Sequence, residues 1–291
     1  MRNSTIDVRR VAPSVGAEIH GVDLRQPLDE RAQGEIRAAL HEHGVIFLRD
    51  QQITPDQHLA FARYFGEVEV DPTAGMKPIP GYPEIGEVRK EPEATRNTGG
   101  NWHTDHAFDV EPPLGSVLLA RELPECGGDT MFASMVAAYD ALSDGMKKSL
   151  AGLQAVHAKT RAFDVGTGER RVSATERAEI QARFAQREAV HPVTPRHPET
   201  GRRLLYVNPT YTKSFFGWTE EESAPLLNYL FQHAARPEFS YRFHWELGSI
   251  AFWDNRAVWH YALNDYHGER RLMHRVGLKG VAFEGSRPAI A

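Results

Sequence analysis

The sequence predicts a mainly β fold with helices, of the double-stranded β-helix or jelly-roll type. Short apolar segments separated by turn residues recur along the chain, as expected for a sheet protein of this kind. Amphipathic helical patterns lie near the N-terminus and between the strands. The 291 residues exceed the usual size of one domain, but no low-complexity linker divides them, and large β-rich folds reach about 250 residues as one unit. We therefore expect a single domain over residues 1–291.

The N-terminal region predicts two helices on either side of one strand. Residues 28–43 have acidic residues near the start, an apolar stripe, and Gly44 at the end. The apolar run of residues 45–48 is typical of a buried strand. Residues 54–65 begin with threonine and proline, the pattern of an N-cap and a first helical turn, and Gly66 follows them.

Further strands and helices alternate through the rest of the chain. Strands are predicted at residues 114–120, 204–207, 241–245, 249–253 and 272–278, and helices at residues 134–141, 143–153 and 219–234. The charged segment of residues 157–198 has weak apolar periodicity, so we expect an insertion between core strands there. Such an insertion either folds over the site as a lid or lies outside the barrel as a helix.

A His-Thr-Asp tripeptide and one distant histidine form a candidate metal site. In an extended strand His103 and Asp105 project to the same face, and His260 follows a predicted strand and turn far downstream. Two imidazoles and one carboxylate are the ligands of the open-faced non-haem iron(II) site, which leaves about three positions for a co-substrate and oxygen. Hydrolytic zinc sites use a similar set with an open water position, so the ligands alone do not choose the metal.

Two arginines near the C-terminus separate these alternatives. Arg271 and Arg275 share one face of a strand with Met273 midway between them. A buried guanidinium needs an anion, and its planar fork fits a carboxylate or a sulfonate. The local sequence leaves open that these arginines instead pair with surface acids.

Several separated motifs together resemble a known enzyme family. They are Trp102–Asp105, Gly127–Thr130, Trp253–Arg256, His260 and Met273–Arg275. In this order they are similar to the iron(II)/2-oxoglutarate dioxygenases of the taurine dioxygenase and 2,4-dichlorophenoxyacetate dioxygenase (TauD/TfdA) type, from about residue 11 to about residue 280. The resemblance implies the jelly-roll fold, iron(II) as the metal, and 2-oxoglutarate and O2 as co-substrates.

The resemblance also implies roles for individual residues. His103, Asp105 and His260 match the iron ligands of the family. Thr130 and Arg271 match the residues that bind the distal carboxylate of 2-oxoglutarate. With these parts, the enzyme would couple the oxidative decarboxylation of 2-oxoglutarate to the hydroxylation of a substrate carbon.

The substrate pocket departs from the taurine pattern. Arg275 matches the arginine that holds the substrate's anionic group, but Asp71, Ala74 and Gly99 stand where the taurine enzyme has histidine, tyrosine and asparagine. A larger and less polar pocket suits a bulkier sulfonate, sulfate ester or aryloxyalkanoate rather than taurine. Asp71 could instead receive an amine or serve as a turn residue. Phe163, in the expected lid, is a further candidate substrate contact.

Other functions remain open at this point. The same cofactors could support desaturation or C–N oxidation in a biosynthetic pathway, because the outcome depends on where the substrate carbon sits. A zinc hydrolase or a non-catalytic jelly-roll binding protein belongs to another class. A zinc hydrolase would have no use for paired arginines and Thr130 gathered for a dicarboxylate, and a binding protein would not need the full metal triad together with that anion site.

Composition and charge exclude several partners. The net charge of −5 offers no attraction for nucleic acid or for an anionic membrane. No apolar run approaches the roughly 20 residues that span a bilayer, and the first residues lead into no signal-type segment, so a cytoplasmic location is expected. The single cysteine, Cys126, fits a reducing compartment. The expected partners are a small organic anion and further copies of the chain, as a dimer or tetramer.

Overall fold

A computed structural model describes residues 5–70, 76–159 and 187–289 of the chain. Within these ranges the chain forms an eight-stranded, a four-stranded and a three-stranded sheet, accompanied by five α-helices and one short 3-10 helix. The molecule is therefore a sheet-rich protein with helices, the mixed class that the sequence predicts. None of the helices in the described ranges has both the length and the apolar character needed to cross a bilayer.

The elements follow one another in this order: β1 (Asp7–Arg10), β2 (Ala17–His20), α1 (Glu30–His43), β3 (Val45–Leu48), α2 (Pro55–Arg63), β4 (Lys77–Ile79), β5 (Tyr82–Lys90), β6 (Gly115–Glu122), β7 (Thr130–Ser134), α3 (Met135–Asp140), α4 (Asp144–Leu150), β8 (Gln154–Ala158), β9 (Glu188–Pro192), β10 (Thr212–Phe215), α5 (Glu220–Ala234), a 3-10 helix (Pro237–Phe239), β11 (Ser240–Phe243), β12 (Ile250–Asp254), β13 (Val258–Ala262), β14 (Arg271–Leu278) and β15 (Arg287–Pro288).

Strands that are distant in sequence lie side by side in each sheet. The eight-stranded sheet has the order β1-β2-β3-β12-β6-β14-β5-β4, the four-stranded sheet β10-β8-β9-β15, and the three-stranded sheet β11-β7-β13. Neighbouring strands are antiparallel, except that β2 and β3 run parallel. This interleaving brings β14, which carries the two predicted anion-binding arginines, beside β6 in the middle of the large sheet.

The predicted helix starts are confirmed by capping side chains. Asp29 caps α1 by accepting a hydrogen bond from an amide of the first turn, and the helix ends at Gly44, whose φ is 74°. Thr54 and Gln57 form a reciprocal capping box at the start of α2. Thr219 begins α5 with the same device. In each case the short polar side chain satisfies backbone groups that the first helical turn leaves without partners.

The central strands β3 and β12 of the large sheet are covered on both faces, which explains their nearly continuous apolar sequences. In β3, Val45 and Phe47 face one core, and Ile46 and Leu48 face the other, because successive side chains of a strand point to opposite sides. Helices α1 and α2 cover the second core. On the first side the Phe47 ring stacks on Phe243 of β11 at a centroid distance of 4.0 Å, so the three-stranded sheet packs against the large one.

The strand predicted at residues 204–207 is wrong. This segment forms no strand, although it is fully buried. The amides of Leu204 and Tyr206 donate to the carbonyls of Pro195 and Val193 in one segment, whereas the Leu205 amide donates to the Met135 carbonyl of another, and none of these segments is a strand. The apolar run correctly signalled burial, but burial alone does not distinguish a strand from an extended connection.

Two strands include residues of the insertion predicted at 157–198. Residues 157–158 belong to β8 and residues 188–192 to β9, and these strands pair antiparallel in the four-stranded sheet. Residues 157–158 and 188–192 of the predicted segment 157–198 therefore lie in strands. The stretch 160–186, with Phe163, lies outside the described residues, so a lid there stays a prediction.

Candidate metal centre and its cavity

Two histidines come together through direct backbone pairing of distant segments. His260 lies in β13, and its amide donates to the His103 carbonyl at 2.9 Å, while the His103 amide donates to the His260 carbonyl at 3.1 Å. This isolated bridge places the centroids of the two imidazole rings 4.1 Å apart. Side chains that are far apart in the sequence therefore meet at one point.

The strand predicted around His103 and Asp105 is wrong, although the two side chains do face each other. Only His103 makes a bridge, and a turn begins at Asp105. Asn255, which is fully buried, replaces a strand partner: its Oδ1 accepts from the Asp105 amide at 2.6 Å, and its Nδ2 donates to the Asp105 carbonyl at 2.8 Å. The loop between β12 and β13 thus holds the carboxylate residue in position.

Nitrogens of the two histidines and one carboxylate oxygen lie close enough to share a metal ion. The Nε2 atoms of His103 and His260 are each 3.7 Å from Oδ1 of Asp105, and the candidate ligand atoms all lie within 4.8 Å of one another. Nδ1 of His103 donates to the Asn101 carbonyl at 2.8 Å, which leaves the Nε2 lone pair for a metal. Burial lowers the pKa of both histidines, so both are neutral, as metal ligands must be.

The second carboxylate oxygen of Asp105 has different partners. Its Oδ2 accepts from Nη2 of Arg275 at 2.8 Å and from the Ser116 hydroxyl at 3.5 Å. Burial alone would raise the pKa of Asp105, but Arg275 and the two imidazoles outweigh it and hold this pKa far below its usual range. The carboxylate is therefore ionised, with Oδ1 toward the histidines. This donor set fits ferrous iron with open coordination positions.

A buried guanidinium, that of Arg271, lies in the other half of the site. Arg271 is 4% exposed, and its Nε and Nη2 have no hydrogen-bond partner within the described part of the chain. Burial lowers its pKa, a penalty that a bound anion would offset. Thr130 accepts from Nε1 of Trp245 at 3.0 Å, so its own hydroxyl proton remains available to a ligand. Guanidinium and hydroxyl together suit the carboxylate of a dicarboxylic acid.

The glycine turn before Thr130 makes room for Arg271. Gly127 and Gly128 both have positive φ, 83° and 70°. A Cβ on Gly128 would stand 3.2 Å from Cδ of Arg271, and one on Gly127 would stand 2.7 Å from Oδ1 of Asp265. Both the backbone conformation and the close approach therefore require glycine at these positions.

One cavity of about 160 Å³ connects the histidine cluster with Arg271. Arg271 and Arg275 both line it, because alternate residues of β14 point to the same side, as their spacing predicts. Thr130 lies in the same wall. Apolar side chains complete much of the surface, namely Val88, Phe108, Leu118, Tyr211 and Trp253.

The predicted substrate contacts are only partly described. Gly99 lines the cavity with a φ of 80°, and a Cβ there would stand 3.3 Å from Cε1 of His103, so this wall lies against the metal cluster. Arg275 lines it as well. Asp71 and Phe163 lie outside the described residues, and their contacts stay predictions.

His106 is a cavity residue that the sequence reasoning missed. It is buried, lines the cavity and holds a φ of 50°, a conformation in which histidine is one of the few enriched side chains. Its Nδ1 lies 3.3 Å from Oδ2 of Asp109, and Arg187 binds both oxygens of that carboxylate at 2.9 and 2.8 Å. The signal in the sequence that could have indicated it is its position directly after Asp105, the candidate metal-binding carboxylate.

A second group of histidine and carboxylate side chains lies close together but is not a metal site. His41, Glu199 and Asp254 also bring ligand atoms within 4.8 Å of one another. However, Arg256 already lies among them, 2.7 Å from Oδ2 of Asp254 and 2.8 Å from Oε2 of Glu199. The guanidinium supplies the positive charge that these carboxylates need, so this cluster is an ion-pair network rather than a metal site.

Comparisons with known proteins agree with this geometry. The sequence profile of the "Taurine catabolism dioxygenase TauD, TfdA family" matches residues 7–276. The chain is 34% identical to "Alkylsulfatase" of Acinetobacter baylyi (97% of this chain, 87% of that protein) and 34% identical to "Alpha-ketoglutarate-dependent sulfate ester dioxygenase" of Pseudomonas putida (94% and 90%). A crystal structure of a taurine dioxygenase from Burkholderia xenovorans superimposes with a TM-score of 0.78 at 36% identity, covering 96% of this chain and 91% of that one.

Proposed function

The chain belongs to the TauD/TfdA dioxygenase family, and on this premise we propose that it is an iron(II)- and 2-oxoglutarate-dependent dioxygenase that hydroxylates a small organic anion. The observation that carries the proposal is the cavity that the His103, Asp105 and His260 cluster shares with Arg271, a buried guanidinium whose Nε and Nη2 have no hydrogen-bond partner among the described residues. A hydrolytic zinc site needs a cluster of metal ligands but not a buried guanidinium that faces the same cavity.

We assign the iron to the two imidazoles and the carboxylate. His103 and His260 would each present Nε2, and Asp105 would present Oδ1, because these atoms converge while Oδ2 is held by Arg275. Bound iron and 2-oxoglutarate supply the oxidative chemistry: O2 is consumed, one oxygen atom enters succinate as CO2 leaves, and the other enters a substrate C–H bond.

The protein's own share is placement and exclusion of water. Arg271 and Thr130 would hold the distal carboxylate of 2-oxoglutarate through its two oxygens. Arg275 would bind the anionic group of the substrate through Nη1, since its Nε and Nη2 already bind Ser116 and Asp105. Orientation of the substrate carbon decides the product, because small misplacements change which bond reacts.

For the substrate we propose a sulfate ester, sulfonate or aryloxyalkanoate rather than taurine. Apolar side chains such as Val88, Leu118 and Phe108 line the cavity, and Gly99 contributes no polar group. Two of the similar proteins are named for alkyl sulfate or sulfate ester chemistry. Hydroxylation of the carbon bonded to a sulfate oxygen gives a product that breaks down into an aldehyde and sulfate.

Fold type, domain organisation, assembly and cellular location are further proposals. We propose that the eight-stranded and three-stranded sheets, which pack through Phe47 and Phe243, are the two layers of a double-stranded β-helix, and that residues 1–291 form one catalytic domain. A homodimer or homotetramer and a cytoplasmic location stay predictions from the sequence, and light scattering and cell fractionation would test them.

An anaerobic titration tests the proposed function. Addition of iron(II) and then 2-oxoglutarate should produce a weak visible charge-transfer band, and this band should be lost in His103→Ala. With oxygen and an alkyl sulfate, succinate and sulfate should form in equal amounts. An iron-replete protein without the band, or sulfate release that does not depend on 2-oxoglutarate, would contradict the proposal.

A further inference from the structure

We infer that His191 of β9 is a positioning residue for the proposed reaction, because it fixes the turn at residues 106–109 that forms one wall of the metal cavity. The inference rests on the proposed function, since it concerns how the substrate is held in that cavity. His191 is fully buried and contacts the turn from outside the cavity, through the backbone carbonyls of two turn residues.

The turn directly follows Asp105, the proposed metal ligand, and presents two side chains to the cavity. The Asp109 amide donates to the His106 carbonyl at 3.0 Å, which closes the turn. His106 and Phe108 both line the cavity, and their ring centroids lie 5.2 Å apart. The φ of His106 is 50°, a left-handed conformation that persists in a residue with a side chain only where its surroundings hold it. The turn therefore needs partners outside itself.

His191 binds the backbone of the turn with one ring nitrogen. Its Nε2 lies 2.9 Å from the carbonyl oxygen of Ala107 and 3.1 Å from that of Asp109. A carbonyl only accepts hydrogen bonds, so Nε2 carries the proton and donates to both oxygens. Nδ1 then accepts from the hydroxyl of Ser286 at 2.6 Å. Burial lowers the pKa of His191 to about 4, and a neutral ring agrees with this arrangement.

Arg187, directly before β9, binds a side chain of the same turn. Its Nη2 lies 2.9 and 2.8 Å from the two carboxylate oxygens of Asp109, and its Nε lies 3.2 Å from Oδ1. A guanidinium that binds a carboxylate through two nitrogens fixes its direction as well as its distance. Arg187 and His191 thus hold both the side chain and the backbone of the turn. Asp105, by contrast, is held by Asn255 of the loop between β12 and β13.

These separate attachments predict which step depends on His191. Without the Nε2 donor the turn can shift, and His106 and Phe108 shift with it, while Asn255 still holds Asp105. We therefore expect iron and 2-oxoglutarate to bind as in the wild type. The organic anion should be bound less tightly and its carbon oriented less accurately, because the reacting geometry depends on the cavity wall.

Two amide substitutions test this role, with hexyl sulfate as the substrate. The amide nitrogen of glutamine can take the position of Nε2, whereas the shorter asparagine reaches only that of Nδ1. His191→Asn should raise KM for hexyl sulfate about tenfold, and His191→Gln should keep it within about twofold of the wild-type value. His191→Asn should also release less sulfate than succinate, because a misplaced carbon is not hydroxylated each time 2-oxoglutarate is consumed.

His157 of β8 provides the matched control. It is as fully buried as His191, and the two ring centroids lie 5.3 Å apart. Its Nδ1 lies 3.2 Å from the hydroxyl of Thr212, which is not part of the turn. His157→Asn should therefore keep the wild-type KM and the equal yields of sulfate and succinate, even where it lowers the melting temperature.

The outcomes distinguish this inference from the proposed function. Wild-type KM and yields in His191→Asn, equal defects in His191→Asn and His191→Gln, or loss of the charge-transfer band in His191→Asn would each overturn the role of the turn. If His191→Asn does not fold, Ser286→Ala decides: it removes only the hydroxyl that binds Nδ1, and an unchanged KM would overturn the inference. Absence of 2-oxoglutarate-dependent turnover of every alkyl sulfate by the wild type would overturn the proposed function itself.

Discussion

At the scale of single residues, the two oxygens of Asp105 divide between the metal cluster and Arg275. Oδ2 lies 2.8 Å from Nη2 of Arg275, so this arginine orients the carboxylate that the metal would use. We predict that Arg275→Ala weakens iron(II) binding about 10–100-fold, as loss of a group that orients a metal ligand usually does, and also raises KM for the organic anion. Affinity for 2-oxoglutarate should change little.

An exposed arginine just before β14 provides the control for this prediction. Arg270 is exposed and pairs with surface acids, so Arg270→Ala should leave iron binding and KM at wild-type values. Iron titration by the charge-transfer band and steady-state kinetics give both quantities. An Arg275→Ala protein with unaltered iron affinity would show that Asp105 keeps its position without the arginine.

We predict that the buried Arg271 lowers the unfolding free energy of the protein when no 2-oxoglutarate is bound. Its buried guanidinium has two nitrogens without partners in the described residues, so Arg271→Ala should weaken 2-oxoglutarate binding about 10–100-fold without lowering the thermal stability of the ligand-free protein.

Arg256 is also buried, but its guanidinium is fully paired, so Arg256→Ala should destabilise the protein by about 3–5 kcal/mol. Calorimetric titration and thermal melts measure the two effects. A large drop in melting temperature for Arg271→Ala would contradict this contrast.

Site residues were predictable where chemistry restricts the residue type. The residue types of His103, Asp105 and His260, two imidazoles and one carboxylate, predicted one cluster, and the structure brings these three side chains together. The supporting residues were not predictable, because Ser116 and Asn255 act through contacts that only the folded chain creates. A buried serine or asparagine has no periodic or spacing signature.

At the scale of elements, helices and strands whose pattern lies within a few neighbouring residues were predicted correctly. Strands that depend on pairing with distant segments were not. The capped helices and the strand β3 follow from residues within a few positions of one another, and they appear as predicted. The strands β8 and β9 were not predicted, because their stability comes from pairing across a long connection rather than from local pattern. The wrong strand at residues 103–105 has the same cause, since Asn255 replaces the strand partner.

Two buried histidines make the elements that hold them sensitive to acid. Burial lowers the pKa of His58 in α2 to about 3 and that of His191 in β9 to about 4. Each folded-state pKa lies below the unfolded value of about 6.5, so the unfolded chain binds more protons and stability falls as the pH drops below about 6.5. Each histidine should remove about 1.4 kcal/mol of unfolding free energy per pH unit, down to its own pKa.

Urea unfolding of the metal-free protein at about pH 7 and about pH 5 checks this slope. Nε2 of His58 lies 3.2 Å from the Val117 carbonyl, and glutamine could keep that hydrogen bond without titrating. His58→Gln should therefore flatten the slope by about 1.4 kcal/mol per pH unit. The same slope in wild type and variant would mean that other groups cause the acid sensitivity.

At the scale of the whole molecule, the sheet topology is what gathers the site. Phe132 of β7 stands opposite His260 of β13, and its ring packs 5.6 Å from Phe47 of the large sheet. The metal cluster therefore lies where the two layers meet, with Arg271 and Arg275 supplied by β14 of the other layer. Such an arrangement exists only in the folded chain, because its members come from segments widely separated in sequence.

Because the metal cluster exists only in the folded chain, we predict that a metal ion bound there stabilises the entire fold. A ligand that binds only the folded state at about 100 times its Kd adds about 2.7 kcal/mol to the unfolding free energy, so manganese(II) at that level should raise the melting temperature by several degrees. His103→Ala should abolish this shift. The His41, Glu199 and Asp254 cluster should not restore it, because Arg256 already occupies that charge position. A full shift in His103→Ala that disappears in His41→Ala would instead place the stabilising metal at the second cluster.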